Sequence, residues 1–326
     1  MEATPDRGWN VVYKTVCKQV TCHAPAGDVL TGAAEPPQRR RMDDQHGIWR
    51  PGGEAAAGWR AQLELHFAER DGRTAVVHRQ HQGPLVVQRP FYPEREVCHC
   101  YLLHPPGGVV GGDRLQLRIQ AQRGAHALLT TPAAGKFYRS LGAQATQQVD
   151  IQLCGARFEW LPQETIFYPQ AMARVETCVQ LDDDSRLIAW ELGSYGLPAR
   201  NEAFFAGRVN QCFAVWKNGR PLLHDRLFVE GGSEALNAPW GLAGHSVVGT
   251  FVAYPVQPAQ LDALRAATCE LSTGGRLALS CVDGLLVGRA LDAHADAILR
   301  RFVALWRQLR PQLMQREVCV PRIWAT

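Results

Sequence analysis

Along residues 59–67 the chain reads WRAQLELHF, with apolar residues at every second position. A period of two places Trp59, Ala61, Leu63, Leu65 and Phe67 on one face of a strand. After the Asp71-Gly72 turn, TAVVHRQHQGPLVVQRPF supplies more strand material, interrupted at Gly83-Pro84. The texture of short strand, Gly or Pro corner, short strand then continues. It runs through RLQLRIQAQ, GAHALLTT, QQVDIQL, ARFEWLPQETIFY, ARVETCVQL, RLIAWELGSYG, GRVNQCFAVWK and PLLHDRLFVEGG. The regular strand–helix alternation of a doubly wound α/β sheet is absent from the pattern.

Two segments switch to helical spacing. Residues 258–269, PAQLDALRAATC, open on proline, a favoured first helical residue. In 292–309, Ile298, Phe302, Leu305 and Leu309 recur at intervals of three and four, with Asp292 expected as the cap and Pro311 just past the end. The expected fold is therefore mainly β, with many short strands stacked in a β-helix-like or sandwich arrangement and about two α-helices toward the C-terminus. Residues 1–57 carry EPPQRRR and RPGGEAAAG without a sustained period and read as a poorly ordered extension. That leaves 58–326 as the β-rich domain.

Composition sharpens this picture only in places. A 46% hydrophobic share of 326 residues suffices for a sizeable core. The net charge of +4 comes from 35 basic and 31 acidic residues spread along the chain, which does not suit a nucleic-acid footprint. The one tight basic run, Arg39-Arg40-Arg41, is followed by Asp43 and Asp44 and reads as a solvated tail. With no apolar run near the ~20 residues of a membrane span and no secretory-signal order, a cytoplasmic protein is expected. The ten cysteines are scattered without C-x-x-C spacing. Cys154, Cys178, Cys212 and Cys281 lie in apolar contexts and read as core residues of a reduced protein.

The densest chemistry is CHCYLLHPPGGVVGGDRL, residues 98–115. On a strand, Cys98 and Cys100 share one face and His99 points away; His104 falls on the cysteine face if the strand reaches it. Sulfur and nitrogen ligands suit a transition metal, but no second cluster completes the set, so buried strand cysteines are the expectation. The glycines lack dinucleotide-loop spacing. In TTPAAGKFY, Thr130 and Phe137 occupy positions where a phosphate loop needs Gly and Ser or Thr. The proline- and glycine-rich corner is expected to present Asp113 and Arg114. Metalloprotease and nucleophile-elbow patterns also fail, and Asp182-Asp183-Asp184 reads as a solvated turn.

What remains is a set of carboxylates in apolar strand contexts: Asp113, Glu159, Glu164, Glu191, Glu202 and Asp225. Buried charge is costly unless paired or hydrated. Each of these groups either meets an arginine or faces outward, or several together line a polar passage that holds a divalent ion weakly enough to release it. A rival reading is a metal-dependent hydrolase built on His104, Asp113 and Cys98.

The segments QHQGPLVVQRPFYPE (80–94), YLLHPPGGVVGGDRL (101–115), LLTTPAAGKFYRS (128–140), FEWLPQETIFYPQA (158–171) and PRIWAT (321–326) closely resemble the UreD (UreH) urease accessory family. The likeness runs from about Gly58 to the end of the chain. It implies a non-enzymatic maturation factor with a stacked-β fold. The expected partners are UreF, the GTPase UreG and apo-urease, and nickel is transient cargo with no tightly bound cofactor. It further implies an internal water-filled tunnel, with Asp113, Glu191 and Asp225 as candidate lining by motif position. The sequence departs from common family forms at Gly135, at Asp225 and at GLPA over 196–199. A purely structural bridge that conducts nothing is the third reading.

Overall fold

A computed structural model describes residues 58–269, 271 and 274–325; the expected extension over 1–57 lies outside the described residues. β1 (Arg60–Arg70) and β2 (Arg73–Gln82) form a hairpin, followed by β3 (Val86–Val87). The chain then passes through β4 (Cys98–Leu103), β5 (Arg114–Ala121), β6 (His126–Thr130), β7 (Gly135–Phe137), β8 (Ala145–Leu153), β9 (Arg157–Leu161), β10 (Thr165–Phe167), β11 (Met172–Leu181) and β12 (Arg186–Leu197). β13 (Glu202–Ala203), β14 (Arg208–Lys217), β15 (Arg220–Glu230) and β16 (Val247–Tyr254) follow. α1 (Leu261–Cys269), β17 (Arg276–Val282), β18 (Leu285–Asp292) and α2 (Ala295–Leu313) complete the described elements.

The long strands alternate between two sheets. β5, β8, β11 and β14 lie parallel in a seven-stranded sheet; β4, β6, β9 and β12 lie parallel in an eleven-stranded one. β7 and β10 add short parallel rungs to the larger sheet, where β10 pairs with β12. Each circuit of the chain thus lays one strand on each sheet and advances by one strand spacing of about 4.8 Å. This is the expected β-helix-like stack. Antiparallel strands close it: β2 and β15 flank the first sheet, and β16, β18 and β17 extend the second.

Two cores follow from this layering. The first fills the space between the sheets, with Leu63, Leu117, Val149, Val175 and Val215 from one side and Leu129, Phe158 and Leu187 from the other. The second lies between the outer face of the larger sheet and α2, where Ile298, Phe302, Leu305 and Leu309 meet Trp190, Phe251 and Ile188. A Cβ on Gly249 would meet Ile298 Cγ2 at 2.8 Å and the Phe302 ring at 2.9 Å, so the glycine lets the helix lie this close. The terminal Trp324 packs on Trp190 and Trp306 and donates its indole N–H to Thr130 Oγ1 at 2.9 Å.

Both expected helices are present, with different ends. α1 is preceded by a 3-10 turn over Pro258–Gln260. Asp292 does not cap α2. It ends β18, buried, and pairs with buried Arg301 at 3.3 Å; His294 takes the cap position. Pro311 lies inside the last turns of α2 rather than beyond them. Trp59 stands before β1 and is exposed, apart from the buried face of Ala61, Leu63, Leu65 and Phe67. Cys154 is exposed rather than part of the core. Among the described residues no helix is long and apolar enough to cross a membrane.

Candidate functional site

β12 is covered on both sides, and its alternation decides what each side receives. Ile188, Trp190 and Leu192 face α2; Leu187, Ala189 and Tyr195 face the other sheet, so Glu191 and Gly193, in phase with them, point between the sheets. In register, Glu191 sits beside Thr250 of β16, and Thr250 beside Arg289 of β18. Across the gap, Thr177 of β11 sits beside Phe213 of β14, and Phe213 beside Asp225 of β15. Two facing rows result, and polar contacts stitch them. Thr177 Oγ1 donates to Glu191 Oε1. Thr250 Oγ1 donates to Asp225 Oδ2 at 3.1 Å, and Arg289 Nη2 pairs with Asp225 Oδ1 at 2.9 Å. One step along, Tyr195 Oη donates to Gln211 Oε1. Gly193 makes room there, since a Cβ would approach Gln211 Oε1 to 2.8 Å.

This polar layer borders a cavity of about 270 Å³ between the sheets, whose wall includes Glu191, Gln211, Trp160, His104 and Lys136. The electrostatics differ along the row. Burial pushes the Glu191 carboxyl up to about 7, and the Thr177 hydroxyl and the Trp160 indole only partly counter it. No lysine or arginine pairs with Glu191 among the described residues. Asp225 has a cation, Arg289, whose side chain is 58% exposed, so this end of the row reaches solvent. Burial also raises the Tyr195 hydroxyl and takes the Cys212 thiol to about 11, helped by nearby carboxylates. Chemically, the row offers hard oxygen atoms, one of them on a carboxyl that a divalent cation can take from a proton.

Glu191 and Asp225 are thus brought into one layer, and Asp113 is not. Asp113 is buried immediately before β5, where its two oxygens accept the backbone N–H groups of Trp59 at 2.8 Å and Val110 at 2.9 Å. It locks the glycine-rich corner to the chain preceding β1 instead of being presented by it. The rival triad does not assemble either. Cys98 is fully buried in β4 with its Sγ 3.8 Å from that of Cys100, and no third ligand closes a set around that pair among the described residues. His104 lines the cavity, where burial lowers its imidazole.

A second buried charge cluster explains Glu159. Its oxygens accept Trp306 Nε1 at 2.6 Å, His126 Nε2 at 2.8 Å and Arg310 Nε at 3.0 Å. Arg310 also grips Glu94 through both terminal nitrogens, and Glu94 meets His99 Nε2 at 2.6 Å. Burial acts to raise the Glu159 carboxyl, but His126 and Arg310 outweigh it and hold it at about 2. This carboxylate is the arginine-paired kind. The Asp182–Asp184 run is a largely solvated turn, as expected, with Asp183 and Asp184 meeting Lys217 and Arg123.

The sequence reading missed Thr177, Gln211, Thr250 and Arg289. A usable signal existed: each is a polar residue in phase with the buried face of its own strand, as Thr177 is with Val175 and Val179.

Residues 59–325 match the family model described as UreD urease accessory protein. The chain is 43% identical over 287 residues to a urease accessory protein UreD of Alkalilimnicola ehrlichii, covering 85% of this chain and 98% of that one. It is 43% identical to proteins of the same name from Citrobacter koseri (82% of this chain, 92% of that one) and Klebsiella aerogenes (82% and 97%).

Proposed function

The chain belongs to the UreD urease accessory protein family, a membership that supports a role in urease maturation. From that premise we propose that it acts with UreF and the GTPase UreG on apo-urease and passes nickel, as cargo, along the polar row between its two sheets. It turns over no substrate and keeps no tightly bound cofactor, and it works in the cytoplasm. The single observation that carries the passage is Glu191: a carboxyl on a cavity wall, without a cation partner among the described residues, joined by in-register neighbours to a solvent-reaching Asp225.

Several features support the reading. A carboxyl held near neutrality is part protonated at working pH, so an arriving divalent ion displaces a proton and a returning proton helps release the ion. That makes the hold weak, as conduction requires. The sequence lacks a phosphate-binding loop, which fits assigning the GTP step to a partner. Phe205, Phe228 and Trp240 stand more than half exposed, which suits a protein that works inside a complex.

The test is nickel content. Urease matured in cells carrying Glu191→Gln and Asp225→Asn together should contain several-fold less nickel, while the accessory complex still co-purifies. Normal nickel content with an intact complex would leave only the role of a structural bridge.

A further inference from the structure

The outer face of the seven-stranded sheet holds a second group of metal-ligating side chains. β1 buries Ala61, Leu63, Leu65 and Phe67, so Glu64 and His66 both point outward, two residues apart. β2 alone would not supply a partner for them. Thr74 is buried and Val76 packs on the core, and strict alternation from these would turn His78 inward as well. A bulge prevents this. The register runs His66 opposite His78 and then Phe67 opposite Val76, leaving Val77 unpaired and 43% exposed. The phase of β2 flips at that residue, and His78 emerges directly across from His66. Re-aiming a side chain beside a site is a recurrent use of such bulges.

The resulting geometry is close. The two imidazole rings lie 4.6 Å apart, and His66 Nε2 is 2.8 Å from Glu64 Oε1. One ligand atom from each of Glu64, His66 and His78 lies within 4.8 Å of the others. Ligands bound at about 2.1 Å sit roughly 3–3.4 Å apart, so small side-chain rotations complete the set. All three side chains are half-buried, which limits their freedom yet leaves an open side for water or a second protein. Two imidazoles and one carboxylate favour borderline transition ions over magnesium or calcium. Arg118 neighbours Glu64 in register but makes no ion pair with it among the described residues. The other candidate set, Glu94, His99 and Cys319, fails on this point, because Arg310 already occupies Glu94 at 2.7 and 2.8 Å.

We propose that Glu64, His66 and His78 form a surface site for one divalent nickel or zinc ion, with its remaining positions open to water. The site lies on the opposite face of the sheet from the inter-sheet row and stands independently of it. Its open side suits an ion that is exchanged with another protein instead of being kept.

The test is calorimetric titration of the full-length chain with Ni²⁺ alone and Zn²⁺ alone, with Mg²⁺ as the control for loose carboxylate binding. The His66→Ala/His78→Ala variant should lose one equivalent, or bind it weaker by at least the roughly 10–100-fold that even outer-shell changes cost. Glu64→Gln should weaken binding less. His81→Ala, an exposed histidine of the same strand, should change nothing. Circular dichroism checks that the surface variants keep the fold. X-ray absorption of the bound nickel should show imidazole ligands. Undiminished binding in the double histidine variant, no saturable binding by the parent chain, or sulfur ligation would each overturn the proposal. The readout is binding, not urease maturation, so its failure and that of the inter-sheet passage are told apart.

Discussion

Replacing Glu191 by glutamine should make the protein more stable and less useful. The substitution keeps the side-chain volume and an acceptor for Thr177, and removes only the ionisable proton. In the folded chain burial holds this carboxyl at about 7, against an ordinary 4.5. Between those values the folded chain keeps a proton that the unfolded chain has released, so stability falls as pH rises across the window. At about 1.4 kcal/mol per pH unit over a gap of roughly 2.5, the carboxyl costs the fold about 3 kcal/mol above pH 7. That figure is a ceiling, because the half-buried side chain borders a cavity that water can share. For a domain of this size it corresponds to a gain in Tm of up to about 6–12 °C at pH 8. The assay is differential scanning calorimetry of both proteins from pH 5 to pH 8. The gap between variant and parent should be small at pH 5, open toward pH 7 and then level off. A gap that is constant with pH, or a variant less stable than its parent at pH 8, would refute the reasoning. A variant that gains stability while urease loses nickel would separate function from scaffolding at one atom.

Other perturbations follow from the same interior. Arg310→Leu strands Glu159 in a dry site and should cost about 3–5 kcal/mol, lowering Tm by roughly 6–20 °C; adding Glu159→Leu should recover part of that loss. Because Glu159 is held at about 2, its ionised form stabilises the parent above pH 4.5 and that contribution disappears as pH falls toward 2, an acid-unfolding step the double variant should lack. Asp113→Asn keeps one acceptor oxygen, now uncharged, and turns the other into an NH2 group facing a backbone N–H; one of the two bonds is lost, which should cost about 1–3 kcal/mol, visible as faster proteolysis of the 104–113 corner, with normal nickel delivery by the chain that stays folded. Gly193→Ala forces Gln211 and Tyr195 apart and should lower urease nickel content for a stability loss of only about 1–3 kcal/mol.

The strand faces were legible because alternation is a local property. WRAQLELHF and RLIAWELGSYG each show their two sides without help from the rest of the chain. Glu191 was legible for a related reason: a carboxylate between Trp190 and Leu192 is out of keeping with its surroundings. Its neighbours were not. That Glu191 lies beside Thr250, and Thr250 beside Arg289, depends on registers between strands separated by tens of residues. Arg310 lies 216 positions from Glu94, and no periodicity links them. The partners of Asp113 are local in one case. A short acidic side chain in a glycine-rich corner often bonds to nearby backbone, and here that ordinary use was the one realised. Asp292 had the sequence context of a cap, but Arg301, nine residues on, claimed its carboxylate.

The interior also separates two ways of burying a carboxylate. Glu159 is met by an indole, an imidazole and a guanidinium, and Asp292 by Arg301. Such sites are saturated: their donors are fixed on α2 or on a sheet, the charge is neutralised, and nothing is left over for an incoming ion. Glu191 is built the other way. Its hydroxyl partner cannot neutralise it, its indole neighbour makes no full hydrogen bond, and its remaining side is a cavity. A fold under pressure only for stability would replace such a group or give it an arginine. Gly193 points the same way, since a side chain there would fill the gap that Gln211 now enters. The unneutralised acid and the missing side chain lie two residues apart, on the same face of one strand. On the passage proposed above, the pair leaves room for a cation beside a carboxyl that no arginine or lysine neutralises among the described residues.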